Sequence, residues 1–229
     1  MDRAVLVLGA DGCRGGGWVV SVLDGEGELS WEWADDAAAV LALADDLQAD
    51  AVALDVPIGL PAPGATRRCD DLARARLGAR RSSVFAAPPR EVLPCGSYAE
   101  ARPLAPSLSA QAFGLVPRIR DVDAVLRTRG PRVHETVVEC HPEAVFALLA
   151  AGRLALPTKR SAAGALTRLA LLEEALDQDV PVDVPPGASL DDALDAVACA
   201  VTAVRWARGE AEVLGGELDA TGTPMRIVV

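Results

Sequence analysis

The order of apolar and polar positions along the chain predicts short strands and helices in alternation. Residues 3 to 10, 17 to 23 and 28 to 33 are short strand-like runs separated by glycine-rich and Asp-Gly turns, the pattern of a three-stranded antiparallel meander. From Ala34 to Leu47 the spacing becomes helical, at Ala37, Val40, Leu41, Ala44 and Leu47, with Asp35 and Asp36 in a first turn that favours acids. Ala51 to Leu54 reads as a buried strand that stops at Asp55, just before a proline and a glycine. Between Pro61 and Pro131 the chain turns to arginine, proline and serine, with broken helical stretches at Asp70 to Arg81 and Asp121 to Arg129. A strand over about Val133 to Cys140 then runs into a helix from Pro142 to near Gly152, proline being well suited to a first helical turn. A helix over Ser161 to Leu176, the linker "VPVDVPPGAS", a long helix from Leu190 to Arg208 and a glycine-rich tail ending in "MRIVV" complete the chain, with no fixed-period repeat. The pattern predicts one α/β domain over residues 1–229, with residues 61–131 inserted as a cap.

Composition narrows the class. Half of the 229 residues are apolar, which is enough for a substantial core, and no apolar run reaches the 18 or so residues of a membrane span. An acid at position two and a short apolar run do not resemble a signal peptide, so a cytoplasmic location is expected. The five cysteines are odd in number and nowhere form C-x-x-C, which points to reduced thiols. Of the 22 basic residues only Lys159 is lysine, a bias to which composition alone assigns no function. The net charge of −11 argues against a general nucleic-acid coat, but from Thr66 to Arg132 thirteen arginines face six acids, a local balance of +7 that leaves −18 elsewhere. That segment is either a salt-bridged surface or an anion-binding cap.

The acids fall at informative places. Asp11, Asp55 and Glu139 each end a strand, and ligands of α/β sheets collect beyond the carboxyl ends of parallel strands. Each also has a structural reading: a turn residue, a loop cap, or a partner for an arginine of the insertion. In "SLDDALDAVACAVTAVRWARG", Ser189 and Asp192 form a capping box with aspartate in place of glutamate, which accounts for Asp191 and Asp192 locally. Asp195 escapes that account. It lies in the second turn of a helix apolar nearly all round, where an unpartnered carboxylate costs several kcal/mol. It requires a cation, either an arginine or a divalent metal shared with the strand-end acids.

The motifs "GADGCRGGGWVV", "DVPIGLP", "RRCDDLAR", "RRSSVFAAPPR", "SAQAFGLVPRI", "ECHPEAVF", "DDALDAVACA" and "GTPMRIV" together resemble the family catalogued as domain of unknown function 429, often described as predicted RNase H-like nucleases. "DDALDA" is also similar to the paired aspartates in the final helix of RuvC-type resolvases. The resemblance, which runs from residue 8 to the C-terminus, implies an RNase H-like α/β fold: a five-stranded mixed sheet in order 3-2-1-4-5, flanked by helices, with the insertion between strands 4 and 5. It implies a metal site of Asp11, Asp55 and Asp195, with Asp192 and Glu139 added to the catalytic set; Glu139 has no counterpart in the resolvase pattern.

Oxygen ligands without histidine suit Mg2+ or Mn2+. Two such ions about 4 Å apart can activate water for in-line phosphoryl displacement, so the leading expectation is metal-dependent phosphodiester hydrolysis on a nucleic acid or nucleotide. Arg14, Arg80, Arg81, Ser82, Ser83, Arg90, Arg118 and Arg120 are the candidate phosphate-binding residues, with His141 a further substrate contact. Arg14 could equally pair with Asp11. Two alternatives stand beside this: phosphotransfer or hydrolysis on a nucleotide or small anion, and a non-catalytic module whose acids pair with arginines. No P-loop occurs, and the Gly12 to Gly17 run does not fit the dinucleotide pattern. Cys140 and His141, adjacent on a strand, point apart and make a poor nucleophile–base pair, and Trp18, Trp31 and Trp33 read as packing.

Overall fold

The apolar runs form the strands they predict, with sharper ends. A computed structural model of the protein describes residues 4–152 and 156–229. Along the chain come β1 (Val7–Gly12), β2 (Trp18–Leu23), β3 (Leu29–Ala34), α1 (Ala37–Asp46), β4 (Ala51–Leu54), α2 (Arg68–Leu77), α3 (Tyr98–Leu104), α4 (Ala110–Phe113), α5 (Val116–Arg129), β5 (Val137–Glu139), α6 (Pro142–Ala150), α7 (Ala162–Leu176), α8 (Leu190–Arg208), β6 (Val213–Leu218) and β7 (Pro224–Val228). Two compact units result: the chain up to Asp55 with Thr136–Glu212 and the last two residues, and Val56–Glu135 with Val213–Ile227.

The first unit is built on a five-stranded mixed sheet in the order β3-β2-β1-β4-β5. β1–β2 and β2–β3 are antiparallel, whereas β1–β4 and β4–β5 are parallel, so β1, β4 and β5 end on the same side of the sheet. Ala10 pairs with Leu54, and Leu54 with Glu139. Helix α8, buried continuously from Ala193 to Ala203, lies against β1, β2 and β4. A glycine permits this approach: a Cβ on Gly9 would stand 2.1 Å from the Ala200 amide nitrogen and 2.2 Å from the Ala196 carbonyl oxygen. Beside it, the buried Ser21 Oγ lies 2.9 Å from the Ala196 carbonyl oxygen and 3.2 Å from that of Gly9, tying β2 to both.

The differences from the sequence expectations have local causes. The first strand begins at Val7 rather than at residue 3, which lies outside the described residues. Ala34 stays in β3 opposite Trp18, and α1 starts after Asp36, whose carboxylate caps the Ala39 amide. Residues Pro131–Glu135 form a 3-10 turn, and the expected strand shrinks to Val137–Glu139 because β4 offers only Val52, Ala53 and Leu54 as partners. Helix α2 stops at Leu77, since Gly78 takes φ 53° and the chain continues as a 3-10 turn to Ser83. α5 starts earlier than expected, at Val116, with a proline in its first turn. The glycine-rich tail, for which the sequence pattern predicts no element, forms β6 and β7, which pair as a two-stranded sheet.

The second unit comprises α2 to α5 and that hairpin. Its centre holds ionic groups rather than apolar ones alone. The buried Arg67 guanidinium bonds to Asp70, whose other oxygen accepts from the Ala87 amide at 3.2 Å. Arg90 bridges Asp123, at 2.6 Å, and Asp219, at 2.8 Å. Asp219 also accepts from the backbone amides of Leu60, Thr221 and Thr223. Burial would raise its pKa, but the Thr221 hydroxyl and these amides stabilise the carboxylate and bring it down to about 2. All five cysteines are buried and outside disulfides, and among the described residues no helix is long and apolar enough to cross a membrane.

Candidate metal centre

Parallel pairing of β1 with β4 brings two acids side by side. Asp11 is the penultimate residue of β1; Asp55 follows β4 directly, its amide donating to the Ala10 carbonyl at 3.1 Å. The close seating of α8 on Gly9 adds Asp195 from above the sheet end. One carboxylate oxygen from each of Asp11, Asp55 and Asp195 lies within 4.8 Å of the others. Asp11 and Asp195 are buried, at 8% and 4% exposure, while Asp55 is half-buried and opens the group to solvent.

Like charges at this spacing in a dry setting resist joint ionisation. Burial first, and then Asp55, Asp195 and Asp192, hold the Asp11 carboxyl well above the ordinary carboxylate range, against a 2.7 Å hydrogen bond from the Gly12 amide. Asp195 is pushed up to about 7 by burial and by Asp55, with Lys159 opposing. The Lys159 ammonium sits 2.7 Å from Asp195 Oδ2 and 3.0 Å from Asp191 Oδ2. Burial lowers its pKa, but the two aspartates outweigh that and raise it, so it stays charged. Asp195 Oδ1 is buried and has no hydrogen-bond partner among the described residues. An orphaned buried carboxylate oxygen calls for a bound group. Three carboxylates offering oxygen donors, with Asp195 Oδ1 orphaned among them, fit a hard divalent cation such as Mg2+ or Mn2+, held by Asp11, Asp55 and Asp195.

The other expected residues are distributed as follows. Asp192 closes the capping box, its Oδ2 accepting from the Ser189 amide at 2.9 Å, and reaches Asp11 only through space. Glu139 is buried on β5 opposite Leu54, one strand further from β1 and outside the group of three. His141 is the N-cap of α6. Arg14 is exposed in the β1–β2 turn, and among the described residues it makes no ion pair with Asp11. Arg80, Arg81, Ser82, Ser83, Arg90, Arg118 and Arg120 belong to the second unit. There Arg90 is committed to Asp123 and Asp219, and the Ser83 hydroxyl donates to the Arg80 carbonyl at 2.9 Å.

Lys159 is the residue that strand and helix patterns do not reveal. The signal was in the composition: a chain that otherwise uses arginine keeps one lysine, and that lysine faces the carboxylates. On α8, burial first, and then Cys140 and the nearby aspartates, push the Cys199 thiol well above its ordinary value, which disfavours the nucleophilic thiolate.

No curated protein and no solved structure matches the chain. The family described as Protein of unknown function (DUF429) matches residues 9–220, nearly the whole length, and the chain belongs to that family.

Proposed function

We propose that the protein is a divalent-metal-dependent phosphodiesterase acting on a nucleic acid or nucleotide, with Asp11, Asp55 and Asp195 as its metal ligands. The observation that carries the reading is the group of three carboxylates within 4.8 Å at the ends of parallel β1 and β4, with Asp195 Oδ1 orphaned. The resemblance of the sequence to RNase H-like nucleases points the same way. When bound, Mg2+ or Mn2+ supplies Lewis acidity toward a phosphoryl oxygen and makes water a better nucleophile. The chain supplies the rest. Asp11 is fixed by the Gly12 amide, Asp195 by Lys159, and half-buried Asp55 leaves the side from which a phosphate and water can approach.

Calorimetric titration of Mn2+ into the wild type and Asp55→Asn, followed by incubation of each with labelled DNA, RNA and nucleotides, tests the proposal. Micromolar to submillimolar binding and metal-dependent cleavage, both lost in the variant, support it. Absence of binding sinks it, as does binding without cleavage of any of these phosphodiesters. The Lys159–Asp195 ion pair favours a second reading, a binding module whose acids are met by fixed cations. In that case Mn2+ does not bind, and Asp55→Asn changes stability alone.

A further inference from the structure

Lys159 is held too firmly for a chance surface contact. Arg168, 1% exposed, donates from Nη1 to the Pro157 carbonyl and the Gly164 carbonyl, each at 3.1 Å. Its Nη2 is fixed by both oxygens of Glu143 on α6, and its guanidinium lies 5.1 Å from the centre of the Phe146 ring. The Ser161 hydroxyl, the cap of α7, donates to the Thr158 carbonyl at 2.8 Å. That carbonyl reaches α7 only because residue 164 is glycine: a Cβ there would be 2.0 Å from it. The loop carrying Lys159 is therefore clamped from both sides, and its ammonium is delivered to Asp195 Oδ2 by structure.

We infer that Lys159 is a built-in cation standing where a second metal ion would otherwise be needed, so that the site takes a single divalent ion. This rests on the metal-site reading above. Two further facts support the count. Octahedral Mg2+ or Mn2+ with bonds near 2.1 Å spans roughly 4 Å from ligand to opposite ligand. Three donor oxygens within 4.8 Å lie slightly wider than that span and need only draw together a little to share the shell of one ion. One oxygen of Asp195 is already bonded to Lys159, so Asp195 does not bridge two ions while that contact stands, and its Oδ1 is left for a single metal.

The test is Mn2+ stoichiometry by calorimetry, joined to electron paramagnetic resonance, which separates the hyperfine pattern of an isolated ion from the exchange-coupled spectrum of a close pair. The expected wild-type result is one ion per chain and an isolated spectrum. In Lys159→Met, loss of the fixed charge should admit a second ion or tighten the first by about tenfold or more. Lys159→Arg, which keeps the charge, should stay at one ion. Two ions or a coupled spectrum in the wild type overturn the inference while leaving the metal site intact. Unchanged or weaker binding in Lys159→Met overturns it too, because the lysine would then be neutral to the metal or a mere support for Asp195. If Lys159→Met fails to fold, the wild-type stoichiometry and spectrum still decide. No binding in the wild type overturns the metal-site reading and this inference together.

Discussion

Gly9 and Ala196 meet with no side chain between them. The Ala196 carbonyl oxygen of α8 lies 2.2 Å from where a Cβ of Gly9 would stand, and the Ala200 amide nitrogen is nearer still. This contact sets the height of α8 above β1, and so the distance from Asp195 to Asp11. Gly9→Ala forces backbone against backbone, which flexible side chains cannot relieve. The expected cost is on the order of 3 kcal/mol, read as a lower urea midpoint, with Mn2+ binding weakened in whatever fraction folds. A variant as stable as the wild type would mean that α8 can lift without penalty.

Gly164→Ala makes a sharper test because two effects oppose each other. Intrinsic helix propensity alone predicts that alanine stabilises α7 by up to about 1 kcal/mol. The Thr158 carbonyl, 2.0 Å from the new Cβ, predicts the reverse. We expect net destabilisation of about 2 kcal/mol and displacement of Lys159 from Asp195. Chemical denaturation gives the sign directly.

Asp11→Asn is expected to stabilise the metal-free protein. The folded-state pKa of Asp11 is raised above its ordinary 3.8, chiefly by burial. Its contribution is therefore most favourable below that value and declines as pH rises toward the folded pKa, because the unfolded chain gives up the proton first. Asparagine keeps the Gly12 hydrogen bond and removes the charge. In chelator, the variant should gain on the wild type as pH increases from 4 to 8, and it should lose Mn2+ binding. Parallel melting curves across that range would contradict the assigned burial of charge.

Asp219 carries the opposite sign. Its carboxyl is depressed to about 2 from 3.8, so the stability it contributes is complete above 3.8 and is lost as pH falls through 2. Urea unfolding of the wild type and Asp219→Asn between pH 6 and 2 should show the wild-type advantage disappearing at the acid end. Equal pH slopes would mean that the amides of Leu60, Thr221 and Thr223 do not select the charged form.

Much of the first unit was legible because its signals are local. Period-two runs and Asp-Gly turns mark the meander, and the capping box at Ser189 marks the start of α8. Asp195 stood out because no local rule explains a second-turn acid on a helix apolar all round. The sheet order came through resemblance, since pairing between β1 and β4 is set by packing that no short window contains. The hairpin β6–β7 stayed hidden because Gly215 and Gly216, at φ 82° and 125°, interrupt the alternation that announces strands. Lys159 stayed hidden for another reason. Its role depends on a loop clamped by Arg168 and on a partner 36 positions away, and a single basic residue in a loop has no pattern.

The lone lysine also makes the site chemically addressable. A chain with twenty-one arginines and one lysine offers acylating reagents a single side-chain amine, so the extent of labelling at Lys159 measures how tightly its ammonium is engaged. An ammonium shared by two aspartates reacts slowly, and every change that loosens the clamp should register as faster acylation. The protein thus carries its own reporter at the centre where its chemistry is proposed to occur.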